Sequence, residues 1–237
     1  MICIGHRGAM GHLAENTIES FDQAIKFGVH AIELDVISVQ GEAIVFHDFD
    51  LKRLCGVESR IAEQSLDEIA NLRVLEKYKI PTLTEVMNFV DSRVALNIEL
   101  KSENSAASVA RVLDRLKWNT DLILVSSFNH RELIKFKSLK PNIRIGALQV
   151  SLPIDNAEFA KRMNAYSVHP SLEFVDRKFV DDAHNKGLKV FVFTVNDSND
   201  FIEMKNIEVD GVFTNYPDRF FSTLGGLANE NQFKFQP

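Results

Sequence analysis

The sequence predicts an α/β protein, and within that class a single-domain (β/α)₈ TIM barrel. Two features carry the prediction: eight apolar, strand-like runs recur along the chain, and an amphipathic helical segment directly follows every run except the second. The chain of 237 residues is long enough, since such barrels typically take about 250 residues and sometimes only about 200. An open, doubly wound sheet is the alternative, because periodicity alone does not show that a sheet closes.

The predicted strands are short and apolar, and they begin at Ile2, Ile32, Val94, Leu122, Arg144, Ala165, Lys189 and Gly211. The first helix can be capped by Asn16 or Thr17 and should stop at Gly28. A turn at residues 40–41 leads from the second strand to a short extra strand over residues 43–46. The later helices are predicted from residue 82 and over residues 105–116, 131–139, 157–163, 178–185, 200–205 and 218–224.

Two segments depart from this alternation. Residues 49–81 are more polar and irregular, with one short helix predicted over residues 66–75, so we expect a small insertion after the second strand. Residues 225–237 are rich in Asn and Gln and should form a loosely ordered tail. Residues 1–224 are therefore expected to form the barrel.

The composition argues against several classes of protein. A hydrophobic content of 45% is ample for a packed core, and a net charge of −6 argues against binding nucleic acid. No apolar run approaches the roughly 20 residues of a membrane helix, and no secretory signal precedes the first strand, so we predict a cytoplasmic protein. Two cysteines are too few for a disulfide framework or a zinc site. Nothing in the sequence indicates an oligomeric state.

Three acidic residues lie at or near the ends of predicted strands. Glu33 and Asp35 alternate with aliphatic residues, so both carboxylates fall on one face of the second strand. Glu99 ends the third strand, and barrel enzymes place their chemistry at the carboxyl ends of their strands. Because three carboxylates without a soft ligand suit a hard cation, we predict a Mg²⁺ or Ca²⁺ site.

Histidines and cations occur at the same strand ends. An unperturbed histidine titrates near neutral pH, so His6 and His47 are candidates to transfer protons. A metal at this site favours an anionic substrate such as a phosphate ester. Arg7 and Lys101 could bind phosphate oxygens. A third histidine, His169, follows the sixth predicted strand and is a candidate to line the pocket.

These residues belong to a set of short motifs in a fixed order. The main motifs are Gly5-His6-Arg7-Gly8, Glu15-Asn16-Thr17, Glu33-Leu34-Asp35, His47-Asp48 and Glu99-Leu100-Lys101. Further similarity occurs at Ile80-Pro81-Thr82-Leu83, Thr194-Val195-Asn196 and residues 210–217. Each motif is weak alone, but their order and spacing from about residue 2 to residue 219 resemble the glycerophosphodiester phosphodiesterase family.

The resemblance implies a (β/α)₈ barrel that hydrolyses glycerophosphodiesters to glycerol 3-phosphate and an alcohol with a divalent cation. It assigns His6 and His47 as the acid/base pair, and Glu33, Asp35 and Glu99 as metal ligands. It further implies that Arg7 and Lys101 contact the phosphate, that Glu15 supports the site from behind, and that the insertion lies beside the pocket mouth. Its partner would be a small-molecule glycerophosphodiester.

Two positions depart from the family pattern. Ala14 replaces a common proline before Glu15, which should affect only loop stiffness. Phe193 replaces a tryptophan that many relatives carry before Thr194. An aromatic wall is retained there without the indole N–H, so we expect Phe193 to contact the substrate and to influence substrate preference.

Other reactions are compatible with these residues. A phospholipase-like lyase on the same barrel would leave a cyclic phosphate, and a metal-dependent barrel aldolase would use the cation to stabilise an enolate. A non-catalytic phosphodiester-binding protein is a further alternative. The fold does not separate them, because barrels host many reactions. The sequence also leaves open the alcohol that is released, the choice between Mg²⁺ and Ca²⁺, which histidine is the base, and whether water attacks phosphorus directly.

Overall fold

The structure is a computed structural model, and it describes residues 1–225 and 233–236. Its strands are β1 (Ile2–Gly5), β2 (Ala31–Val39), β3 (Glu42–Val45), β4 (Arg73–Val74), β5 (Tyr78–Lys79), β6 (Ala95–Leu100), β7 (Ile123–Ser127), β8 (Arg144–Gln149), β9 (Ser167–Pro170), β10 (Lys189–Val192) and β11 (Gly211–Thr214). Eight of them form a parallel sheet in the order β1-β11-β10-β9-β8-β7-β6-β2, and β1 also pairs with β2. The sheet is therefore closed, and the predicted barrel is confirmed.

At least one α-helix follows each barrel strand along the chain. They are α1 (Ile18–Phe27), α2 (Lys52–Cys55), α3 (Leu66–Asn71), α4 (Leu83–Val90), α5 (Ser105–Leu116), α6 (His130–Leu139), α7 (Glu158–Arg162), α8 (Arg177–Asn185), α9 (Ser198–Asn206) and α10 (Pro217–Leu224). As predicted, α1 is capped by Thr17, whose side chain accepts a hydrogen bond from the Ser20 N–H, and it ends at Gly28, which has a φ of 84°.

Successive side chains of each strand point alternately outward and inward, so the barrel has two apolar cores. The outward residues of β2, such as Ile32 and Leu34, join a large apolar core formed with the helices. The inward residue Ala31 joins a smaller cluster that includes Ile4 and Phe191. Glu33 and Asp35 follow Ala31 at two-residue spacing, so the barrel interior is apolar at one end and acidic at the other.

The segment over residues 49–81 differs from its predicted structure. The helix expected over residues 66–75 ends at Asn71, and β4 and β5 then form a short antiparallel ribbon. The chain reverses between them through Leu75 and Glu76, which have positive φ angles of 51° and 60°. Apolar residues of this segment pack on the β2–β3 hairpin, whose two-residue turn at residues 40–41 is confirmed.

The expectation of a loose tail is wrong for residues 233–236. Phe235 is fully buried against Phe191 and Tyr166, and its N–H donates to the Asp121 carbonyl at 2.8 Å. Gln236 accepts a hydrogen bond from the Tyr166 hydroxyl at 3.0 Å. The aromatic side chain of Phe235 thus packs against the barrel, which the polar composition of the segment did not predict. The rest of the predicted tail, residues 226–232 and 237, lies outside the described residues.

Candidate active site

A cavity of about 240 Å³ lies at the carboxyl ends of the barrel strands. Seven of the predicted site residues line it, namely His6, Arg7, Glu33, His47, Glu99, Lys101 and Phe193. They come from five different strands or strand ends, so only the closed barrel brings them together. A broader depression of about 390 Å³ lies between α5 and α6, but it holds none of the predicted site residues.

Three buried carboxylates meet beneath this cavity. Glu33, Asp35 and Glu99 each offer one oxygen, and the three oxygens lie within 4.8 Å of one another. The register accounts for this arrangement, because Asp35 on β2 is directly paired with Glu99 on β6. Glu33 Oε1 is buried and has no hydrogen-bond partner among the described residues. Oxygen donors in this geometry, one of them unpartnered, fit a hard divalent cation.

The pKa values of the three carboxyl groups reflect this crowding. Burial, followed by the charge of Asp35, raises the pKa of Glu33 well above its ordinary value and that of Glu99 to about 7. Burial also opposes ionisation of Asp35, but Arg7 and Lys101 outweigh it and lower the pKa of Asp35. Three ionised carboxylates would carry more negative charge than these two cations neutralise, so Glu33 and Glu99 hold their protons more tightly than usual.

This crowding predicts a pH-dependent stability for the metal-free protein. Glu99 binds its proton more tightly when folded, since its pKa rises from 4.5 to about 7. The folded state therefore holds more protons than the unfolded state between those values, and stability falls as pH rises through that window. Relative to Glu99→Gln, the unaltered protein in EDTA should lose thermal stability between about pH 5 and about pH 7. A difference in Tm that stays constant with pH would contradict the crowding.

Two cations flank the carboxylates. The Arg7 guanidinium donates to Glu15 at 2.7 Å and lies 3.2 Å from Asp35, while the Arg7 backbone N–H donates to Glu33 Oε2 at 2.8 Å. Lys101 Nζ donates to Glu99 at 3.1 Å and lies 3.7 Å from Asp35. Both side chains line the cavity, so each can reach an anion there while it neutralises part of the cluster.

His6 is held as a neutral imidazole. Its Nδ1 lies 2.7 Å from Asn215 Oδ1, which accepts a hydrogen bond, so the proton is on Nδ1. Burial, reinforced by the positive charge of Arg7, lowers the pKa of His6 to about 4. Its Nε2 lies 4.0 Å from Glu33 and carries the free lone pair. His6 is therefore prepared to accept a proton at Nε2.

His47 has a different partner. Its Nδ1 lies 2.6 Å from the carboxylate of the next residue, Asp48, which fixes the orientation of the ring. The His47 side chain is 29% exposed and lines the cavity. The two histidines thus face one cavity but have different Nδ1 partners, a neutral amide oxygen for His6 and a carboxylate for His47.

Several residues at the site were not predicted as functional. Asn16 makes two hydrogen bonds with Asp35. Its side-chain amide N–H donates to Asp35 Oδ2 at 2.9 Å, and its Oδ1 accepts a hydrogen bond from the Asp35 backbone N–H at 3.2 Å. Phe128 directly follows β7 and packs edge-on against Phe193 at 5.5 Å, which completes the aromatic wall. The position of Phe128 after a strand end could have predicted it. The pairing of Asn16 with Asp35 had no comparable signal in the sequence.

Glu15 lies outside the carboxylate cluster. Its carboxylate accepts hydrogen bonds from Arg7 at 2.7 Å and from two nitrogens of Arg53 at 2.8 Å each. Burial opposes the ionisation of Glu15, but these bonds lower its pKa. The residue therefore supports Arg7 from behind and does not itself line the cavity among the described residues.

The prediction that His169 lines the pocket is wrong. His169 is fully buried inside the barrel, packed at tilted ring angles between Phe191 and Phe213, with its Nε2 2.8 Å from the Ser167 hydroxyl. Burial lowers its pKa to about 3, so the ring is neutral. Gly146 makes room for it, because a Cβ there would lie only 2.4 Å from His169 Nε2. His169 is a core residue beneath the cavity floor.

A closed barrel with carboxylates, cations and imidazoles gathered at its carboxyl end is the arrangement of a barrel enzyme. The profile of the Glycerophosphoryl diester phosphodiesterase family matches residues 6–219. The chain therefore belongs to this family, as its motifs predicted. None of the helices in the described part of the chain is both long and apolar enough to cross a membrane.

Individual relatives cover almost the whole chain. A glycerophosphodiester phosphodiesterase of Caldanaerobacter subterraneus subsp. tengcongensis is 31% identical over 94% of this chain and 97% of its own. A phosphodiesterase of Oleispira antarctica, solved in complex with the product sn-glycerol-3-phosphate, is 30% identical, with a TM-score of 0.90 over 95% of this chain and 97% of its own. A glycerophosphodiester phosphodiesterase of Thermotoga maritima is 29% identical, with a TM-score of 0.79 over 94% and 97% of the two chains.

Proposed function

We propose that the protein hydrolyses glycerophosphodiesters to glycerol 3-phosphate and an alcohol. One observation carries the proposal: two histidines and two cations face a single cavity directly above three buried carboxylates. The family supports the reaction, and the product bound to the Oleispira antarctica relative supports the identity of the phosphate product. The predicted cytoplasmic location stays a prediction.

Glu33, Asp35 and Glu99 would hold a divalent cation, Mg²⁺ or Ca²⁺. When bound, the cation would supply positive charge to a phosphate oxygen and lower the cost of the charge that develops at phosphorus. The unpartnered Glu33 oxygen and the raised pKa values of two of the three carboxyl groups support this assignment. Asn16 orients Asp35 through two hydrogen bonds, so this ligand needs little rearrangement.

The histidines would divide the proton transfers. His6, neutral with a free Nε2, is suited to remove the proton of the nucleophile that attacks phosphorus. The nucleophile is either water or the glycerol 2-hydroxyl, and in the second case water then opens the cyclic phosphate. His47, paired with the Asp48 carboxylate, is suited to carry a proton and donate it to the departing alkoxide. Arg7 and Lys101 would contact the phosphate from the remaining sides, and Phe193 with Phe128 would hold the alcohol portion against an aromatic surface.

The identity of the product tests this reaction. With glycerophosphocholine and a divalent cation, ³¹P NMR should show the substrate resonance replaced by that of a phosphomonoester, which enzymatic assay identifies as glycerol 3-phosphate. A lasting cyclic phosphate would favour the lyase. Turnover of keto acids without turnover of any glycerophosphodiester would favour the aldolase. Binding of glycerophosphodiesters without turnover would favour a non-catalytic protein.

A further inference from the structure

One side chain of the segment over residues 49–81 reaches two parts of the active site at once. Arg53, on α2, donates through Nε to Asp48 at 2.6 Å and through Nη1 and Nη2 to the two oxygens of Glu15 at 2.8 Å each. All three guanidinium nitrogens thus donate to two carboxylates that come from different loops. Leu51 and Leu54, both buried in the segment's apolar cluster, anchor α2 beside the barrel.

Each carboxylate that Arg53 binds continues to a residue of the cavity. Asp48 meets His47 Nδ1 at 2.6 Å, and Glu15 accepts a hydrogen bond from Arg7 Nη1 at 2.7 Å. The contacts therefore run without a break from His47 through Asp48, Arg53 and Glu15 to Arg7. Arg53 is not among the described residues that line the cavity, so its direct contacts with the site are these neighbours.

The geometry uses the forked shape of the guanidinium. A planar guanidinium offers parallel donors along one edge and a further donor at Nε, whereas a lysine ammonium is a single compact charge. The charge also matters to Asp48. Burial would raise the pKa of Asp48, but the hydrogen bond from Arg53, followed by that from His47, lowers it to about 2. Asp48 consequently stays ionised as the partner of His47.

We propose that Arg53 is a positioning residue that fixes the position of the His47–Asp48 pair relative to the Glu15–Arg7 pair. This inference rests on the proposed function, in which His47 donates a proton and Arg7 contacts phosphate. The segment over residues 49–81 thereby acts on the reaction, through one side chain, as well as packing against the β2–β3 hairpin.

The test begins with steady-state kinetics on glycerophosphocholine. Arg53→Ala should lower kcat about 10- to 100-fold, the usual effect of removing a residue that orients a catalytic group, and should also raise KM. Arg53→Lys should recover only a small part of kcat, because one ammonium cannot bind both carboxylates. Full recovery in Arg53→Lys would overturn the role of the fork.

Double variants separate positioning from general destabilisation. If Arg53 acts on His47 through Asp48, Arg53→Ala should cost little further kcat in an Asp48→Ala background. If it acts on Arg7 through Glu15, it should cost little further KM in a Glu15→Gln background. Costs that simply add in both backgrounds would overturn the proposal. The matched control is Lys52→Ala on the same helix, since the ion pair of Lys52 among the described residues is with the exposed Glu58 and not with a residue of the site.

A measurement without turnover distinguishes failure of this inference from failure of the proposed function. In ¹H–¹⁵N NMR of histidine-labelled protein, the Nδ1–H signal of His47, assigned by its loss in His47→Ala, should be sharp in the unaltered protein and in Lys52→Ala. It should broaden or disappear in Arg53→Ala, whose Tm is measured in parallel. An unchanged signal in Arg53→Ala would overturn the inference whatever the enzyme hydrolyses.

Discussion

Replacing either His6 or His47 with alanine should lower kcat by about 10²–10⁴-fold, the usual contribution of one general acid or base. Both rings line the cavity, and the Nδ1 atom of each is held by a fixed partner, so that Nε2 is directed to the reaction. The measurement is the release of glycerol 3-phosphate from glycerophosphocholine under saturating substrate. The Tm of each variant should stay close to that of the unaltered protein.

The control for this prediction is His184→Ala. His184 lies on α8, away from the cavity, and binds Asp210 at 2.8 Å on the surface. Its removal should leave kcat unchanged. A loss of less than tenfold in both active-site variants would show that neither ring transfers a proton in the slow step, and the assignment of the pair would be wrong.

Replacing Glu33 with glutamine should have opposite effects on activity and on stability. Loss of one ligand removes several kcal/mol of charge stabilisation at phosphorus, so kcat/KM should fall by about 10³-fold. The metal-free protein should nevertheless become more stable by about 1 kcal/mol at neutral pH, because glutamine is neutral without the proton that the buried, crowded Glu33 must bind on folding. The glutamine oxygen can still accept the Arg7 N–H. Addition of Mg²⁺ or Ca²⁺ should raise the Tm of the unaltered protein and not that of the variant.

Glu132→Gln is the matched control for the stability effect. Glu132 is also a buried glutamate, but its carboxylate accepts hydrogen bonds from the Ala106 N–H and from Lys135. Its replacement should lower stability and leave activity unchanged. If Glu33→Gln destabilised the metal-free protein as Glu132→Gln does, burial and the neighbouring carboxylates would not disfavour the ionised form of Glu33.

The barrel and most of the site could be predicted because both depend on local patterns. Strand periodicity places Glu33 and Asp35 on one face, and the barrel rule places strand ends around a single opening. Those two facts are enough to bring His6, His47 and Glu99 to the same cavity. The ordered motifs then identified the family, which the match over residues 6–219 confirms.

The error over His169 shows where periodicity fails. The strand predicted over residues 165–168 is β9, Ser167–Pro170, so His169 lies within the strand and not after it. A shift of two residues moves a side chain by one layer of the barrel interior, from the cavity to the core beneath it. The room for its ring comes from Gly146 on the neighbouring strand, a long-range fit that no local pattern records.

Contacts between segments that are far apart in sequence could not be predicted either. The contacts from His47 through Asp48, Arg53 and Glu15 to Arg7 join two loops and the helix α2. The segment that holds α2 is polar and irregular, so it carries no periodic signal for the position of Arg53. The amide of Asn16 that binds Asp35 belongs to the same class. Such pairings are set by the packing of the whole barrel, whereas the sequence pattern reports only on each element.

The central claim is that the buried carboxylates hold a cation required for hydrolysis of a glycerophosphodiester. The most direct test is the release of glycerol 3-phosphate from glycerophosphocholine, with EDTA, without EDTA, and after Mg²⁺ or Ca²⁺ is restored. We expect EDTA to abolish release and one of the two cations to restore it in the unaltered protein and not in Glu33→Gln. Release that continues undiminished in EDTA, or none from any glycerophosphodiester with either cation, would contradict the claim.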